Sequence, residues 1–133
     1  MDHIQSALLF CGPFNVESIA NLNSNVFRLL IGRAMWAYFG DRNGASNLQE
    51  HMTIKNHLTA DFVPSFITDG NTASFEDQAR ELVAAMEDIG IHVESFFIPI
   101  EEEETQHEFQ FNLATPAGRK VLRLAKDFLA RHN

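Results

Sequence analysis

With one cysteine in 133 residues, the chain cannot form an internal disulfide, and nothing ties it to an oxidising compartment. No apolar stretch approaches the roughly 20 residues needed to span a membrane. The first residues lack the basic start and long apolar segment of a secretory signal. Positive charge is scarce: ten Lys and Arg stand against eighteen Asp and Glu, a formal net charge of −8. Phosphate contacts need a basic patch, so no nucleic-acid partner is expected. Neither G-x-G-x-x-G nor a P-loop occurs, so no nucleotide cofactor is expected, nor any other. No histidine pair has the H-E-x-x-H spacing, and Glu101–Glu104 are consecutive residues that do not converge on one ion; no metal is expected. These absences leave a soluble, cytoplasmic protein as the expectation, and a 45% hydrophobic content is enough for a packed core.

The most organised stretch runs from Phe62 to Ile98. A short apolar run, Ser65–Thr68, is cut off by Asp69-Gly70, a turn signal in which Gly is free to take positive φ. Ser74 stands three residues before Asp77, the spacing of a capping box. Phe75, Ala79, Leu82, Val83, Met86 and Ile89 then recur at steps that give a helix one buried face, and Gly90 suits the C′ position. A β-type run, Ile91–Ile98, follows. Strand, helix, strand implies parallel pairing, with ligands and catalytic groups collecting at the carboxyl ends of the strands.

Ser6–Cys11 reads as another buried strand, since an unbroken apolar run suits a parallel strand covered on both faces. It carries no charge or proline of the kind that protects an edge, so the isolated chain is expected to self-associate through it, to be only marginally stable, or to need an N-terminal partner. A helix beginning at Asn23 or Ser24 and ending before Gly40 is apolar nearly all round, which fits either a sandwiched helix or a cap over an apolar pocket. Asp41–Ser46 reads as loop and Asn47–His57 as a weaker helical piece. Thr115 with Pro116 opens a last helix, whose stripe is Ala117, Val121, Leu124, Ala125 and Phe128. The fold class is α/β in a single domain, residues 1–133: a short, mainly parallel sheet in a three-layer α/β/α arrangement.

Two residues stand out as candidate chemistry. Asp69 follows the central strand and His107 follows the third by a short loop, so both should reach one rim of the sheet. A carboxylate and an imidazole so placed are the orienter and base of a nucleophile–base–orienter relay. The nucleophile itself is missing, since no G-x-S-x-G occurs. Cys11 could supply a thiol, but a free cysteine ending an apolar strand is more often simply buried.

The segments Leu8-Leu9-Phe10-Cys11-Gly12-Pro13-Phe14, Pro64 to Thr72 and His107-Glu108-Phe109 together resemble the C-terminal half of an α/β-hydrolase of the esterase and lipase type. The resemblance implies that the three strands are the last three of that family's sheet and that residues 23–57 form its cap. It implies that His107 is the general base of a carboxylic-ester hydrolase whose serine and oxyanion hole lie upstream. The substrate would be a small-molecule ester, handled only when an N-terminal half is supplied. The family places its acid where Ala73 stands here, and Asp69 is the nearest carboxylate. The other reading of the residues is a non-catalytic α/β interaction module.

Overall fold

The computed structural model describes residues 4–16, 18, 33, 37 and 51–132. The chain divides into two compact units, residues 1–12 with 59–133, and residues 13–58. The first unit carries a three-stranded sheet in the order β1 (Ala7–Phe10), β2 (Ser65–Thr68) and β3 (Val93–Ser95). Both pairings are parallel, with Phe10 opposite Thr68 and Ile67 opposite Ser95. Helix α1 (Glu76–Asp88) joins β2 to β3, and helix α2 (Pro116–His132) closes the chain. This is a mixed α/β unit with a parallel sheet, as the strand–helix–strand pattern implies.

Strands β1 and β3 are shorter than the runs that announce them, whereas β2 coincides with its apolar run. That run is buried throughout, and its amides and carbonyls have neighbours on both sides. Alternation along β2 sends Phe66 and Ile67 to opposite faces. Phe66 joins Ile98, Phe109, Ala117, Val121, Ala125 and Phe128 in one core cluster, so the apolar stripe of α2 is buried where the 3.6-residue period puts it. Helix α1 packs against β2 and β3, burying Ala79, Leu82 and Met86. Ile89, expected on that face, is exposed, because it is the C-cap and the helical period has already ended.

The two ends of α1 differ in how well local sequence anticipates them. At its C-terminus, Gly90 takes φ 79° and donates to the Glu87 carbonyl, while the Ile91 amide reaches the Met86 carbonyl. This is the paired arrangement that glycine at C′ permits. At its N-terminus the Ser74–Asp77 capping box does not form. The helix starts at Glu76 with Phe75 as N-cap, and no side chain of the cap residue bonds to it. Ser74 Oγ accepts only from the Glu76 amide, at 3.4 Å, while the amide of the N-cap residue Phe75 donates to Asp69 Oδ2 at 2.9 Å, a buried carboxylate from the preceding turn. Helix α2 begins as expected, with Thr115 Oγ1 accepting from the Gly118 amide at 3.1 Å.

In the second unit, Asn15 Oδ1 accepts from the Ser18 amide at 3.0 Å, the geometry of an N-cap, and Val16 and Ser18 are helical. The helical piece expected over Asn47–His57 is broken: Thr53 is extended (φ −82°, ψ 107°), and Ile54–His57 form a 3-10 turn. The long apolar helix after Asn23 and the loop Asp41–Ser46 lie outside the described residues, apart from Arg33 and Ala37, both helical. The cap expected over residues 23–57 therefore lies mostly outside them too.

Candidate active site

Parallel pairing in register brings the carboxyl ends of β1 and β2 level, so the residues that follow them, Cys11 and Asp69, emerge side by side. The Cys11 amide still donates to the Thr68 carbonyl at 3.2 Å, carrying the ladder one step past the strand. Cys11 then takes φ 53°, a left-handed turn that ends the strand abruptly.

The loop after β2 is tied to the loop before His107 by the Asn71 side chain and by backbone hydrogen bonds. Asn71 Nδ2 donates to the carbonyls of Ile98 (2.9 Å) and Glu103 (2.8 Å), and its Oδ1 accepts from the Thr105 amide at 2.9 Å. The Thr105 carbonyl accepts from the amides of both Asn71 and Thr72, and the His107 amide donates to the Thr72 carbonyl. A short parallel bridge between Thr72 and Gln106 results, and it delivers His107 to the rim. Gly70 does not take positive φ, contrary to its reading as a turn glycine; Gly90 is the only described glycine that does. Its role is close approach: a Cβ at Gly70 would collide with the Gln106 carbonyl oxygen and sit 2.6 Å from that of Thr105.

His107 and Asp69 meet there. His107 Nδ1 lies 3.1 Å from Asp69 Oδ1, with the Asp69 side chain wholly buried and that of His107 31% exposed. Asp69 Oδ1 also accepts from the Gly70 amide at 2.7 Å, and Oδ2 from Phe75. A carboxylate held by two backbone amides is an acceptor, so Nδ1 carries the proton and Nε2 the lone pair. Nε2 has no hydrogen-bond partner among the described residues. The edge of one ring faces the other where Phe75 packs on His107, with centroids 5.4 Å apart and planes at 86°, which fixes the imidazole's tilt. Glu108 immediately follows in a left-handed conformation, φ 65°, and Ala73 in the facing loop has φ 48°. The three non-glycine residues with positive φ among those described, Cys11, Ala73 and Glu108, thus all border this one site. Local strain of that kind is held in place only where surrounding structure over-determines it.

Cys11 belongs to the cluster and is more than a buried strand residue. Its sulfur, an oxygen of Asp69 and a nitrogen of His107 lie within 4.8 Å of one another. Burial pushes the thiol up to about 12, and its hydrogen bond and charge repulsion with Asp69 add to this, while Gln110 pulls the other way. Cys11 is therefore a protonated thiol beside the Asp69 carboxylate. It is not a thiolate nucleophile. Gln110 Nε2 touches Cys11 Sγ at 2.6 Å, and its Oε1 is the one buried side-chain oxygen or nitrogen without a partner among the described residues. Asn71, Phe75 and Gln110 are the site residues that the sequence does not announce. Asn71 sits beside the Asp-Gly turn, and that is its only signal.

No family model, no curated protein and no solved structure matches this chain.

Proposed function

We propose that this chain is the base-and-orienter part of a carboxylic-ester hydrolase, the C-terminal part of an α/β-hydrolase of the esterase and lipase type. The three strands would be the last parallel strands of a larger three-layer α/β/α sheet, and residues 23–57 the cap. The observation that carries the reading is the 3.1 Å contact between His107 Nδ1 and the buried Asp69, with Nε2 left unpaired on a partly exposed ring.

In this reading a serine hydroxyl from an N-terminal half meets Nε2. As its oxygen attacks the ester carbonyl carbon, the proton passes to Nε2, and the resulting imidazolium is stabilised by Asp69. When the tetrahedral adduct collapses, Nε2 returns the proton to the departing alkoxide, leaving an acyl-serine. Water then repeats the sequence and releases the acid. Asp69 orients the ring throughout and stays ionised. The oxyanion hole, which supplies much of the rate in such reactions, would come with the serine.

The test has two arms. The purified chain alone is expected to leave p-nitrophenyl butyrate unhydrolysed, since a base and an orienter have no hydroxyl to activate. A tagged chain returned to its native cells is expected to retain a polypeptide that a fluorophosphonate probe labels on serine. The His107→Ala chain should retain the same polypeptide unlabelled. Clear turnover by the chain alone, or equal labelling with both chains, would overturn the proposal.

A further inference from the structure

Away from that rim, at the end of the sheet where β3 begins, a second cluster gathers two imidazoles and a carboxylate. His92 and Glu94 are two residues apart along an extended segment, so they share one face. His132 is the last residue of α2, and its ring packs on the buried Phe128 ring with centroids 4.6 Å apart. The two histidine rings lie 4.8 Å apart, centroid to centroid. Both present Nε2 to the same atom, Glu94 Oε1, at 3.4 Å for His92 and 3.9 Å for His132.

Those separations are long for hydrogen bonds. They are close to what a tetrahedral zinc-type centre needs, where ligands about 2.0–2.1 Å from the ion stand about 3.3 Å apart. The three ligand atoms already lie within 4.8 Å of one another, and His92 is more than half exposed, so small side-chain rotations close the difference. Arg131 Nη2 bridges both carboxylate oxygens, 2.8 Å to Oε1 and 2.7 Å to Oε2. With Oε1 given to a cation, Oε2 keeps the guanidinium, which then orients the ligating carboxylate from outside.

We propose that His92, Glu94 and His132 form a site for a divalent cation of the zinc class, which fastens the last turn of α2 to the start of β3. Two imidazoles and one carboxylate favour Zn²⁺, Ni²⁺ or Cu²⁺ over the oxygen-seeking Mg²⁺ and Ca²⁺. The site is independent of the Asp69–His107 pair, which lies past the opposite ends of the strands.

The experiment is calorimetric titration of the untagged full chain with Zn²⁺, with Mg²⁺ as control. One Zn²⁺ per chain is expected and no Mg²⁺ heat. Affinity should fall at least about tenfold in His92→Ala and in His132→Ala, and persist in His107→Ala. Zn²⁺ should raise the melting temperature of the wild type and not that of the His92→Ala/His132→Ala pair. Should a variant fold poorly, the wild-type imidazole NMR signals decide, with those of His92 and His132 moving on Zn²⁺ addition. Absence of Zn²⁺ binding, unchanged affinity in both single variants, loss of binding in His107→Ala, or shifts confined to other histidines would overturn the proposal.

Discussion

Asp69 and His107 are 38 residues apart in the chain, yet Oδ1 of one lies 3.1 Å from Nδ1 of the other. The contact depends on neither residue's local conformation alone. It exists because the loop after β2 and the loop after β3 are laced together through Asn71, Thr72 and Thr105.

Asn71→Ala should therefore act at a distance from its own position. It removes two carbonyl partners and the acceptor for the Thr105 amide, and a stability loss of about 1–3 kcal/mol is expected from urea unfolding. The His107 imidazole signal should broaden or shift in the same variant, whereas a purely local effect would leave it unmoved.

Gly70→Ala and Gly90→Ala separate two reasons for having glycine. At Gly90 an added Cβ meets nothing within 4 Å, and the cost is the left-handed backbone alone, about 1–2 kcal/mol. At Gly70 the backbone is ordinary but the Cβ strikes the carbonyl of Gln106, part of the loop that carries His107. Denaturant midpoints should fall in both variants. Only Gly70→Ala should also disturb the His107 resonance.

Cys11 should be slow to alkylate. Its thiol titrates near 12, against an ordinary value of 9.0, so at pH 8.5 its thiolate fraction is smaller by about three orders of magnitude. Part of this is returned by the greater nucleophilicity of a more basic thiolate, leaving iodoacetamide labelling about 25- to 50-fold slower than in the urea-unfolded chain. The linkage has a definite sign. The folded state holds its proton more tightly, so this contribution to stability is complete below about pH 9 and is lost as pH rises towards 12. A pH series of urea melts checks it against Cys11→Ala, which should lack that alkaline decline.

Phe128→Ala tests the core. Phe128 is fully buried between the Phe66 ring and His132 and belongs to the cluster that anchors α2. A loss of about 3–5 kcal/mol is expected by chemical denaturation.

Much of the first unit was legible residue by residue. The apolar run of β2, the stripe of α2, Thr115 at its start and Gly90 behind α1 are all local patterns. They depend on the period of a helix or strand and on the conformations open to one residue, which neighbours in sequence decide. The pairing of Asp69 with His107 was legible too, once parallel strands put both residues past the same end of the sheet. What followed from tertiary structure alone was where polar groups find their partners. Asp69 takes the amide of Phe75, the N-cap residue of α1, because a buried carboxylate must collect donors wherever the fold supplies them. Cys11 reads as an inert strand residue, and becomes part of the site only when register sets it beside Asp69 and a left-handed turn follows. His92, Glu94 and His132 have no recognisable spacing, since α2 has to run its full length before its last residue returns to β3. Such convergence is a property of long-range packing, and no window along the chain contains it.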